Sequence, residues 1–179
     1  MKNTLYIVVF LLFASIVVSA QKTDNIKWYT VEEAMKLNAE APRNILIDVY
    51  ADWCGPCKVM DAQTFNHTVI AEYINQNFYA IKFDSESTLP ISFAGHTFVN
   101  EGIRNGSRKP VHQFVRALGV TGYPTVAYFT SDLMMIGAIP GVMSPEKIEP
   151  LLHYIVQEQY TSISLEQYEK TFVSELKRK

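Results

Sequence analysis

The sequence predicts an α/β fold, and three observations carry that expectation. Asn44 to Tyr50 is apolar almost throughout, the pattern of a central strand buried on both faces. Helical periodicity flanks it. A helix is expected from Val31 to about Ala39, and another from Val69 to Asn77 with Val69, Tyr73 and Ile74 on one face. Between them the strand runs straight into Trp53-Cys54-Gly55-Pro56-Cys57-Lys58. Pro56 there suits the first turn of a helix, where its missing donor costs nothing.

The chain has 179 residues, 48% hydrophobic and 19% charged, with a formal net charge of -2. That bounds one globular domain with a full core. No basic excess points to nucleic acid, and no charge run suggests a disordered tail. Residues 1–20 read as a signal peptide. Lys2 starts it, Leu5 to Val18 is nearly all apolar, and Val18-Ser19-Ala20 offers small residues for cleavage. The apolar run is short for a membrane span, so an uncleaved anchor is the lesser alternative. Residues 21–179 then form the mature domain, exported across the inner membrane and expected in the periplasm, where disulfides persist. Ile26 to Tyr29 reads as a short edge strand. Thr30 and Glu33 form a capping box for the helix that Pro42 closes off.

Cys54 and Cys57 are the only cysteines. A structural disulfide gains its effect by closing a long loop, and this ring closes almost none. Half of a zinc site would need two more ligands, and His67, His96, His112 and His153 are scattered. No metal is expected. A dithiol that opens and closes fits the spacing. One thiol attacks a partner's disulfide, and the second must be near enough to resolve the mixed disulfide. Cys54 would stand at a helix N-terminus, where unpaired N–H groups and partial positive charge stabilise a thiolate. Such settings lower a thiol pKa from about 8.5 toward neutrality. Cys57, deeper in the helix, would be the shielded, resolving thiol. Trp53 can cover the pair and offer a partner an apolar surface.

With these residues the chain resembles the thioredoxin superfamily. Asp48 lies six residues before the first cysteine, as does the buried aspartate of thioredoxins. Gly119-Val120-Thr121-Gly122-Tyr123-Pro124-Thr125 looks like the loop that ends in a cis-proline against the dithiol. The resemblance implies a three-layer fold, a central mixed β-sheet with helices on both faces. It also implies roles. Cys54 and Cys57 exchange disulfides, and Asp48, desolvated, moves the proton of Cys57. Trp53, Gly55, Pro56, Tyr123 and Pro124 meet the substrate. A plainer reading of Asp48 is a partly exposed acid at a strand end. Thioredoxins pair this acid with a lysine that would fall at Ala80. Lys82 points to the same face, and the sequence leaves open whether it substitutes.

After Cys57 the helix continues to Thr64. Ala62 replaces the kinking proline of thioredoxins, so no bend is required there. A break at Phe65 to Thr68 precedes the second helix. This pattern is similar to secreted thioredoxin-like proteins related to the C-terminal domain of transmembrane disulfide-transfer reductases. Phe78 to Asp84 reads as a strand. Residues 85–118 are an insertion relative to a minimal thioredoxin, with a hairpin of Ile91–Phe93 and Thr97–Val99. Its Arg104, Arg108 and Lys109 are locally basic, and Pro110 opens a helix through Leu118. A long insertion serves either function or surface decoration. Asn66-His67-Thr68 and Asn105-Gly106-Ser107 match the glycosylation triplet, which matters only in a eukaryotic host. Pro124–Thr130 and Leu133–Ile139 form a hairpin. Pro145 to about Glu158 is a helix, and Ser164 caps a last one, Leu165 to about Leu176.

The function expected is a protein-disulfide reductase, because Gly55-Pro56 between the cysteines looks like reducing thioredoxins. Alternatives are an extracytoplasmic oxidase or isomerase, and a binding module on the same scaffold. The partners implied are proteins bearing disulfides and a membrane or extracytoplasmic thiol donor. No cofactor is implied, and a monomer is expected.

Overall fold

The computed structural model describes residues 25–103 and 111–176. Expectations for the leader, for Arg104, Arg108, Lys109 and Pro110, and for Asn105-Gly106-Ser107 lie outside those residues.

The elements follow the sequence patterns closely. Strand β1 (Trp28–Tyr29) leads into helix α1 (Val31–Glu40), and Thr30 and Glu33 complete the capping box reciprocally. Strand β2 (Asn44–Tyr50) is followed by helix α2 (Gly55–Met60). The helix does not run on unchanged where proline is absent. Asp61–Phe65 widen into a π-helical segment, and the chain then restarts as α3 (Thr68–Asn77). Strand β3 (Phe78–Asp84) comes next.

The insertion does form a hairpin, β4 (Ile91–Phe93) with β5 (His96–Phe98), one residue earlier on its second arm than expected. Helix α4 (Gln113–Ala117) is capped by the His112 side chain, which takes the Phe114 N–H at 3.1 Å. Strands β6 (Thr125–Phe129) and β7 (Met135–Pro140) pair as an antiparallel hairpin, and α5 (Pro145–Val156) follows.

The five-stranded sheet has the order β1-β3-β2-β6-β7. Parallel pairing joins β1, β3 and β2, and antiparallel pairing joins β2, β6 and β7. The mixed sheet is therefore as the resemblance implied. Alternation along the strands makes two cores. Leu46, Ala80, Val126 and Tyr128 face Met60, Ile70, Ile74, Ile148 and Leu152. Ile45, Ile47, Ile81 and Phe129 face Val31, Ala34 and Phe114, with the insertion's Phe93. Each such aliphatic side chain, fully buried, contributes roughly 1.5–3 kcal/mol.

The last helix is a correction. Helix α6 spans only Leu165–Glu169, not to Leu176. The reason is Glu149 on α5, 2% exposed. Its carboxylate accepts the Ser174 hydroxyl at 2.5 Å and the Glu175 N–H at 2.6 Å. Those bonds draw the chain out of the helix and across α5. The apolar residues chosen from the pattern still pack, with Leu165, Tyr168, Phe172 and Leu176 all against the first core.

Candidate active site

The chain leaves β2 at Tyr50 and tightens at once, the Cys54 N–H reaching the Ala51 carbonyl at 2.9 Å. That places Cys54 as the N-cap of α2. Its Sγ accepts the Cys57 N–H at 3.1 Å, satisfying one of the donors that a helix start leaves open. Cys54 and Cys57 are joined as a disulfide, with Cα atoms 5.3 Å apart. The expectation that Cys57 alone is shielded is not met in this closed form, because both cysteines are 3% exposed. What separates them is the helix. Cys54 caps it and receives an N–H, whereas Cys57 lies inside its first turn.

Trp53, directly before Cys54, is 57% exposed. Its ring meets Tyr123 edge-on at 5.9 Å, and its indole N–H donates to Glu86 at 2.7 Å. Tyr123 packs against the cluster of Ala51, Cys54 and Cys57. The Tyr123-Pro124 peptide is cis, and the Thr125 hydroxyl closes the loop on the Gly122 carbonyl at 2.7 Å. Gly55 and Pro56 are exposed, and Pro124 is buried at the entry to β6. Thus Trp53 and Tyr123, from two distant parts of the chain, meet beside the disulfide.

Asp48 is 2% exposed on the central strand, so the partly exposed reading is excluded. It pairs in register with Lys82 of β3. Lys82 Nζ lies 3.0 Å from Asp48 Oδ2, which settles the open question of the lysine. Ala80 shares the face but sits opposite Leu46. The second oxygen, Oδ1, is buried without a hydrogen-bond partner among the described residues. Burial pushes the carboxyl up to about 6, against the downward pull of Lys82. Asp48 is therefore poised to hold or release a proton near neutral pH.

Sequence reasoning gave no role to Asp61 or Glu86. Asp61 opens the π segment and forms a second, short ion pair with Lys82. The ammonium also lies over the rings of Trp28, Tyr50 and Phe65 at 4.9, 5.1 and 5.8 Å. Desolvation pulls the Lys82 pKa down, but the two carboxylates outweigh it and hold it above its ordinary value. The spacing of Asp61, four residues after Cys57, was a legible signal of a shared helical face. No local signal points to Glu86.

Among the described residues no cluster of His, Cys, Asp or Glu is arranged to hold a metal ion. His112 has both ring nitrogens on backbone groups, and His153 stacks on Tyr73 at 3.9 Å. Nor is any described helix long and apolar enough to cross a membrane.

A dithiol closed at a helix start, a cis-proline loop beside it and a buried acid on the strand that leads into it are the features of a thiol–disulfide oxidoreductase site on an α/β scaffold. The family model described as a thioredoxin-like domain matches residues 31–156, and the chain belongs to that family. Solved structures similar to it include a thioredoxin-fold protein from Helicobacter pylori. That match has a TM-score of 0.59 at 16% identity and covers 84% of this chain and 93% of the other. A thioredoxin from Thermus thermophilus is also similar, with a TM-score of 0.54 at 14% identity, covering 73% and 87%. At these identities the likeness is one of fold. No curated protein sequence matches the chain.

Proposed function

We propose that this protein is an extracytoplasmic protein-disulfide reductase. One observation carries the reading: Cys54 caps α2 with its sulfur on the Cys57 N–H, in a disulfide with Cys57. When the bond is reduced, the same N–H stabilises a Cys54 thiolate.

The Cys54 thiolate attacks a client disulfide, and one client sulfur leaves as a thiolate that takes from solvent the proton Cys54 gave up on ionising. Cys57 gives its proton to Asp48 and attacks the Cys54 sulfur of the mixed disulfide. The client's second sulfur leaves and receives that proton. Two electrons and two protons pass to the client, and the Cys54–Cys57 disulfide is left behind. An extracytoplasmic or membrane thiol donor resets it. Trp53, Gly55, Pro56, Tyr123 and Pro124 form the surface that meets the client's backbone, and the loop ending at Tyr123 offers strand-like pairing to an extended peptide. Residues 1–20 direct export and are cleaved after Ala20, and the mature chain acts as a monomer.

The direction rests on Gly55-Pro56. The same dipeptide type occurs in reducing thioredoxins, whose potential is about -270 mV. Insulin reduction by wild type and its loss in Cys54→Ser test the activity. A glutathione-equilibrated potential tests the direction. A value near about -120 mV, that of strong oxidants, would assign an oxidase instead.

A further inference from the structure

A cleft of about 420 Å³ opens where the first turn of α1, the ends of β2 and β3, and the segment after β3 come together. Tyr50, Phe83, Leu89 and Pro90 are among its apolar lining. Tyr50 is a shared wall, because it also packs against the cluster that holds Cys54 and Cys57. The segment after β3 is also tied to the site by the bond from Trp53 to Glu86. Leu89, 69% exposed, is a large apolar side chain left in solvent at this cleft.

The charge lining the cleft is one-sided. Its lining cation, Lys82, is already taken by Asp48 and Asp61. Glu32 and Asp84 also line it and have no cation partner among the described residues. Of these two, the Asp84 charge reaches the Tyr50 wall. Burial pushes the Tyr50 phenol pKa up, and Asp84 and Asp52 push it further. A partner for such a surface needs an apolar side chain to cover Leu89 and positive charge to meet Glu32 and Asp84.

We propose that this cleft docks the stretch of a client polypeptide beside its disulfide, and favours stretches that carry an apolar residue with Lys or Arg. The proposal rests on the oxidoreductase reading above and adds client selection to it. The cleft holds the flanking chain while the disulfide reaches Cys54. Opposite charge speeds encounter, and the apolar contact lengthens the stay.

The test uses the reduced protein and two synthetic peptides with the same disulfide ring, one flanked by Leu and Lys/Arg and one by Leu and Glu. At low ionic strength the basic peptide is expected to exchange roughly fivefold faster in kcat/KM. The ratio should fall toward one at about 0.5 M salt, where the Debye length is only a few ångströms. The Glu32→Lys/Asp84→Asn double variant should lose or reverse the preference while its rate with bis(2-hydroxyethyl) disulfide, which has no flanking chain, stays level. Leu89→Ser should raise KM for both peptides. Equal rates for the two peptides in wild type, or a preference kept by the double variant, overturn the cleft as a client site. So does a dimer in sedimentation that Leu89→Ser dissociates, since a second copy would then occupy it. No exchange with any disulfide, the small one included, overturns the oxidoreductase reading instead.

Discussion

Lys82 and Asp48 face each other across two parallel strands, with Nζ 3.0 Å from Oδ2, one carboxylate oxygen paired and the other without a hydrogen-bond partner among the described residues. This half-satisfied acid makes stability and exchange depend on pH together. Between pH 3.8 and about 6 the folded chain keeps a proton on Asp48 that the unfolded chain has released. Stability from this group therefore falls as pH rises through that window, and the penalty stands in full above it.

Asp48→Asn removes that penalty. The variant is expected to be more stable than wild type at pH 8, by roughly 2–3 kcal/mol, with the gain fading as pH drops below 6. Urea titrations at several pH values measure it. On the proposed mechanism the same variant should lose roughly hundredfold in the resolving step, because asparagine cannot take the Cys57 proton.

Lys82→Met keeps the apolar stem and deletes the charge. Without the ammonium, the Asp48 carboxyl should titrate above 6, since Lys82 is what pulls it down. Asp61→Asn should move it the other way, because the Asp61 charge raises it. Carbon-13 NMR of the Asp48 carboxyl reads both shifts. At pH 8 Lys82→Met should also cost roughly 1–3 kcal/mol, by leaving a buried carboxylate unpaired, and cost less at pH 5.

Glu149→Ala tests the C-terminal arm. Removing the carboxylate orphans the Ser174 hydroxyl and the Glu175 N–H, at a cost of roughly 1.5–3 kcal/mol. Limited proteolysis should then cut beyond Glu169, while the exchange rate at Cys54 is unchanged.

Glu86→Ala releases the Trp53 indole from its acceptor. Client KM should rise a few-fold, and Trp53 fluorescence should respond less to closing the disulfide. Loss of kcat with KM unchanged would contradict a role in presenting the aromatic surface.

Much of this was legible because the strongest signals were local. Asn44–Tyr50 and Phe78–Asp84 are mostly apolar runs, each broken by one charged residue in its interior, and their bounds as strands are the ones read from sequence. The capping box of α1 and the Pro56 helix start are likewise short-range. What escaped depends on contacts between distant residues. Lys82 could be assigned to Asp48 only once the register of β2 on β3 was fixed. The π segment arises where Ala62 removes the proline, and the sequence says only that no kink is forced. Helix α6 stops short where Glu149, far back in the chain, takes the Glu175 N–H and the Ser174 hydroxyl. Glu86, at the start of the insertion, meets Trp53 from 33 residues further along the chain, with no pattern joining them.

Alkylation of the reduced protein across pH tests the central claim most directly. Iodoacetamide with mass mapping should modify Cys54 well ahead of Cys57, with a rate inflection clearly below about 8.5. Equal reactivity of the two sulfurs, or an inflection at the value of a free thiol, would contradict a stabilised Cys54 thiolate and the exchange chemistry built on it.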